Sequence, residues 1–146
     1  MITSYCRRPG PEEFIYYDGL TFRIEWYYAA DGRMPGRECY LALDEIDQER
    51  LDKIVKYLAD SPFGVQLPKS LYRVEDAANK IYAFKPRAER FFNFIAAGRR
   101  IVITNAYRKH SQKMGKTDLD KLKTAAVHRE DYLRRVGNGT YYETRA

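Results

Sequence analysis

Residues 81–108 read IYAFKPRAERFFNFIAAGRRIVITNAYR. Three apolar and aromatic runs, 81–85, 90–96 and 100–108, are separated by links too short for a crossover. Such residues favour the pleated, half-buried surface of a sheet. Gly98 marks a hairpin between the last two runs. Strands joined so tightly pair antiparallel. Just upstream, residues 71–75 (LYRVE) form a further candidate strand, followed by a turn from Asp76 to Lys80.

Towards the N-terminus, residues 20–28 (LTFRIEWYY) alternate, with Phe22, Ile24, Trp26 and Tyr28 on one face and Thr21, Arg23 and Glu25 on the other. That period describes a strand buried on one side. Pro35 opens a short helix to about Leu43, because its missing N–H is harmless in a first turn. A second helix follows Asp47 as N-cap, with Leu51, Ile54, Val55 and Leu58 as its core stripe and Pro62 at its end. The two form a helical hairpin. Residues 1–19 read as an irregular arm with turn signals at Pro9-Gly10-Pro11 and Asp18-Gly19 and room for a short strand at Phe14–Tyr17.

Towards the C-terminus, Thr117 caps a final helix running to about Val136, with Leu119, Leu122, Ala126, Leu133 and Val136 on one face. Arg129 falls on that face, where a charge must pair or reach the rim. Gly137-Asn138-Gly139 stops the helix, leaving 137–146 as a loose tail or a partner-binding strand. Segregated helices and strands make the class α+β, with an antiparallel sheet of four to five strands, an N-terminal helical hairpin and a C-terminal helix. The expected organisation is one domain over 20–136, between the arm 1–19 and the tail 137–146.

The chain has 146 residues, is 45% hydrophobic and carries a net charge of +6. That length and composition suit one globular domain. Cys6 and Cys39 have no CxxC spacing, which argues against a disulfide framework or a zinc site. No apolar leader and no membrane-length run appear, so the cytoplasm is the expected location, with no membrane partner. Charge is unevenly placed: 10 Lys/Arg against 14 Asp/Glu in residues 1–79, and 16 against 6 in residues 80–146. A basic half rich in aromatic residues suits a polyanion with unpaired bases, a nucleic acid such as RNA.

Were a bound RNA to be cut, the site would need a base for the 2′-hydroxyl, a clamp for the phosphate and an acid for the leaving 5′-oxygen. The chain has only two histidines, His110 and His128, and no evident carboxylate pair in its basic half. A Lys/Arg/His site is the chemistry these residues offer, and no cofactor is expected. Arg90, at the head of an apolar strand, offers a bidentate grip on phosphate. Lys109, His110 and Lys113 lie just beyond the last strand, where a histidine is a candidate general acid or base. Lys85 and Arg87 flank Pro86 and are placed to contact RNA backbone, as are Arg108 and Lys116. Tyr82 and Tyr107 are candidates for stacking on a base or supplying a phenol. A lysine or tyrosine moves protons only if neighbouring cations depress its pKa.

Four stretches carry a resemblance: FRIEWYYAADGRMPGRECYLALDEID, IYAFKPRAERFFNFI, IVITNAYRKHSQKM and AAVHREDYL. From Gly19 to Arg135 the chain resembles the RelE/ParE superfamily of toxins, most closely its HigB-like, phage-derived branch. The resemblance implies a RelE-like twisted antiparallel sheet and ribosome-dependent cleavage of mRNA without metal. It also implies an antitoxin partner, often of helix-turn-helix type. Arg90 matches the family's arginine at the scissile phosphate, Lys109-His110 its adjacent basic pair, and Arg129 its helix arginine. Some members place a catalytic tyrosine after the basic cluster; here residues 111–127 contain none, which favours His110 for proton transfer. The same fold also serves ParE-like gyrase inhibitors and binding modules without activity. Those inhibitors generally lack the basic cluster found here.

Overall fold

The computed structural model describes residues 8–111 and 113–142. Its axis is the pair β5 (Glu89–Ala96) and β6 (Arg100–Arg108), antiparallel from Glu89 opposite Arg108 to Ala96 opposite Arg100. Gly98 and Arg99 turn the hairpin with φ of 81° and 55°, a left-handed conformation that glycine adopts without steric cost. β4 (Ile81–Phe84) pairs antiparallel with β5, and β3 (Tyr72–Asp76) with β4. These four strands follow the sequence expectation.

On its other side β6 takes β2 (Arg23–Trp26) in parallel, Arg23 opposite Arg100 and Trp26 opposite Ile103. β1 (Ile15–Asp18) closes that edge, antiparallel to β2. The described residues therefore form an α+β fold on a six-stranded mixed sheet, ordered β1-β2-β6-β5-β4-β3. Two expectations are corrected. The sheet is not wholly antiparallel, because the long connection from β2 to β6 permits a parallel neighbour. Residues 11–18 are more ordered than an irregular arm: α1 (Pro11–Phe14) leads into β1, which matches the short strand expected at Phe14–Tyr17 and supplies the sixth strand. Residues 1–7, including Cys6, lie outside the described residues.

β2 also departs from its expected one-sided burial. Ile24, Glu25, Trp26, Tyr27 and Tyr28 are all buried. On one face α2 (Pro35–Leu41) packs so closely that a Cβ on Gly36 would lie 3.1 Å from Ile103 and 3.3 Å from Trp26. On the other, Tyr142 donates to Glu25 at 2.5 Å. α3 (Glu45–Asp60) buries Leu51, Ile54, Val55 and Leu58 as the spacing requires. Its N-cap is Asp44, which accepts the Asp47 N–H at 2.9 Å, so the helix begins earlier than an Asp47 cap allows.

α4 (Lys116–Gly137) begins after Gly115, with Thr117 inside it rather than capping it. Its buried positions are Asp118, Leu122, Ala125 and Tyr132, while Leu119, Leu133 and Val136 stay exposed. Of the expected stripe Leu122 is buried and Ala126 half-buried, while its other members turn away from the sheet. Aromatic packing sets the orientation: Tyr132 meets Phe94 edge-on at 5.2 Å and Tyr141 at 4.6 Å. Arg129 lies over the Phe94 ring at 5.8 Å. The chain after α4 is no loose tail as far as Tyr142. Tyr141 is fully buried, stacks on Tyr28 at 4.1 Å and accepts the Tyr28 N–H at 3.0 Å. Residues 143–146 lie outside the described residues. No helix among those described is long and apolar enough to cross a membrane.

Removing this aromatic plug should cost more than any surface change. Tyr141→Ala is expected to destabilise the domain by about 3–5 kcal/mol and lower its melting temperature by roughly 10 °C, measured by circular dichroism.

Candidate functional site

Strand register decides which side chains share a face. Arg90 stands opposite Tyr107, Phe92 opposite Ala83, and Ala83 opposite Arg73. Two residues further along β4, β6 and β3, the same face carries Lys85, Lys109 and Glu75. Apart from the buried Ala83, these residues, with Met114, Asp118 and Leu122 where α4 begins, line one cleft of about 270 Å³. Phe92 and Leu122 give it an apolar side, and Arg73, Lys85, Arg90 and Lys109 a cationic one. Arg90 and Lys109 thus converge.

The cleft's two carboxylates are both committed. Glu75 pairs with Arg73 at 2.9 Å. Asp118 accepts from the Gly115 N–H at 2.6 Å, the Tyr107 hydroxyl at 2.5 Å and Lys109 Nζ at 3.0 Å. Lys109 also donates to the Lys113 carbonyl at 3.3 Å. Arg90 and Lys85 reach only carbonyl oxygens: Nη1 of Arg90 lies 3.1 Å from that of Glu89, and Lys85 Nζ 3.3 Å from that of Lys69. Neither forms an ion pair among the described residues, so both remain available to an anion.

These surroundings separate the titrating groups. Burial, then Arg73, Arg90 and Lys109, push the Lys85 ammonium below its ordinary value. Burial and the bond to Asp118 push the Tyr107 phenol up, which makes it a poor base. The Gly115 N–H, Tyr107 and Lys109 hold the Asp118 carboxyl down at about 2.

Of the residues singled out from sequence, Lys85, Arg90, Tyr107 and Lys109 meet in the cleft. Six do not line it. Arg87 pairs with Asp47 of α3 at 3.3 Å, and Arg108 with Glu89 at 3.6 Å. Both carboxylates are buried, and they draw the two arginines away. Tyr82 stacks on Tyr72 at 5.4 Å, across the sheet from Lys85. His110, Lys113 and Lys116 are exposed beyond the end of β6 and at the start of α4. Arg73, Glu75 and Asp118 were not singled out. The alternation of LYRVE carries a signal for the first two. Asp118 belongs to a capping arrangement, three residues after Gly115.

Among the described residues no three His, Cys, Asp or Glu side chains are grouped to hold a metal ion. No protein-family model and no curated protein matches the chain.

Asp118 ties β6 to α4, and the tie is pH-dependent. Its folded pKa lies below the ordinary 3.8, so the stabilisation is complete above that value and fades as the pH falls towards about 2. Asp118→Asn is expected to melt lower than the wild type at neutral pH. The gap between the two should close across that acid window in a pH series of thermal melts.

Proposed function

We propose that this protein is a ribosome-dependent mRNA endoribonuclease, the toxin of a toxin–antitoxin pair, working through a Lys/Arg site without metal. One observation carries the reading: Arg90 and Lys85, two cations with no ion-pair partner among the described residues, share a cleft with Lys109. The RelE/ParE resemblance adds to it. The order from β2 through α2 and α3, four antiparallel strands and a last helix supports a RelE-like core, to which α1 and β1 are additions. The proposed partners are mRNA on the ribosome and an antitoxin that covers the cleft.

Roles follow from the surroundings. Neutral Lys85 takes the proton of the 2′-hydroxyl, whose oxygen attacks the adjacent phosphorus. Arg90 holds the charge that develops on the phosphate oxygens. The P–O5′ bond breaks to leave a cyclic phosphate, and the Lys109 ammonium protonates the departing oxygen. His110 stands outside the cleft, so Lys109 replaces it as the acid.

Expression in translating cells should shorten transcripts, mapped by sequencing of RNA ends. Arg90→Ala is expected to reduce cleavage by about 10²-fold or more. Intact transcripts with gyrase-dependent DNA breaks would instead point to the ParE-like activity and overturn the reading.

The pH dependence tests Lys85 separately. A general base must be neutral, so the cleavage rate should rise with pH until it passes the lowered pKa of Lys85. Lys85→Arg keeps the charge and should abolish that rise.

A further inference from the structure

Tyr82 is left unused by the cleft, and its surroundings are informative. It lines a second concavity of about 540 Å³, where residues 65–69 pass over Leu58 and the outer side of β3 and β4. The groove is mainly apolar, with Leu67, Tyr72 and Val74 beside Tyr82. Three cations line it, Lys69, Arg73 and Lys80, and no carboxylate does. Lys69 and Lys80 are exposed and form no ion pair among the described residues. The Tyr72 and Tyr82 rings are nearly parallel, 5.4 Å apart at 5°. Tyr72 is fixed from behind by its hydroxyl, which donates to Asn93 at 2.9 Å. Tyr82 is thus a flat, backed ring that is only half-buried.

Two contacts join this groove to the cleft. Arg73 lines both concavities. The Lys69 carbonyl accepts from Lys85 Nζ, so a groove residue touches the proposed base. β3 is the sheet's edge strand, and a flexible chain can cross it from one concavity to the other without meeting another strand. Tyr82 and Lys85 are three residues apart in an extended stretch, about 10 Å along the strand and on opposite faces, so a strand that joins them goes round β3 and needs several nucleotides.

We infer that the groove holds single-stranded RNA flanking the segment in the cleft, with a base against Tyr82 and phosphates against Lys69 and Lys80. This rests on the RNA-cleavage reading and extends it: the substrate is an unpaired stretch that wraps the β3 edge. Stacking on an aromatic ring beside a cationic track is the usual way to hold unpaired strands without reading sequence. An acidic, apolar peptide shares that charge complementarity. The flat paired rings and the arginine shared with the cleft favour the nucleotide.

The test uses the full chain and fluorescent, uncleavable all-deoxy oligonucleotides of about three and about eight nucleotides, bridging less or more than the cleft. The wild type should bind the longer probe about tenfold or more tightly than the shorter. The double variant Lys69→Glu, Lys80→Glu alters exposed side chains only. It should lose that gain and bind the short probe like the wild type. For the longer probe, its log K against log salt slope should fall by about 1.4, roughly 0.7 for each lost phosphate contact. Retention of the length gain by this variant overturns the inference. So does the absence of any gain in the wild type while the short probe still binds, and that result leaves the cleft reading standing. If a Glu/Leu-rich peptide binds the wild type but not the variant, and probe length has no effect, the groove belongs to a polypeptide. If neither probe binds the wild type, the RNA reading fails and the inference falls with it.

Discussion

A chain of buried hydrogen bonds across the sheet fixes the register that brings the cations together. Between Phe91 and Asn93 the β5–β6 ladder slips: Phe91 faces Ala106, but Asn93 faces Ile103. Such an irregularity leaves backbone groups unpaired, and a buried one needs partners. They are present. Asn93 Nδ2 donates to the Phe91 carbonyl at 3.0 Å, and the Thr104 hydroxyl lies 3.2 Å from that of Phe92. Tyr72 of β3 bonds Asn93, and Asn105 Nδ2 reaches the Lys121 carbonyl of α4 at 3.1 Å. A one-residue slip would turn every side chain of β6 over. Lys109 and Tyr107 would then turn to the side of β6 on which α2 packs, and the cleft would lose two of its walls.

Carboxylates decide which cations stay available. Burying a carboxylate is unfavourable unless a partner is near, so each buried acid holds a base. Asp47 and Glu89 hold Arg87 and Arg108 on the far side of the sheet, and Asp131 holds Arg135 at 2.7 Å. Glu25, fully buried, has Arg100 at 3.6 Å and Arg23 at 3.9 Å. Within the cleft, Asp118 fixes Lys109 and Glu75 fixes Arg73. The division leaves Lys85 and Arg90 with backbone oxygens alone, which an incoming phosphate can replace.

The parts of this arrangement legible in the sequence are the local ones. β3 to β6 are joined by tight links, so their pairing follows from the chain itself. Period two already separates Tyr82 from Lys85 and Arg108 from Lys109, since an odd spacing along one strand means opposite faces. That reading excludes Tyr82 and Arg108 from the cleft without coordinates. The parallel contact of β2 with β6 was not legible, because its partners lie far apart in the chain. The face of α4 was misread for a similar reason. Leu119 and Leu133 look like core by spacing, but Tyr132 takes that place because Phe94 and Tyr141, from distant segments, pack on it. Asp118 needs the same knowledge: its partners Tyr107 and Lys109 are known only once α4 lies over the end of β6.

The charge asymmetry of the sequence therefore identifies the right half of the chain but overstates how much of it faces a polyanion. Folding pairs second-half arginines with first-half carboxylates: Arg87 with Asp47, Arg100 with Glu25. Those arginines add to the net charge, yet much of their field is cancelled by a neighbour a few ångströms away. At such short range a paired charge outweighs any long-range excess, which salt screens beyond about 8–10 Å. Among the described residues, cations without an acid such as Lys53 and Lys121 are scattered over the surface, but Lys85 and Arg90 share the cleft and Lys69 and Lys80 the adjoining groove, where an anion can meet two of them at once. The site is defined less by where basic residues are abundant than by where the fold leaves them without an acid.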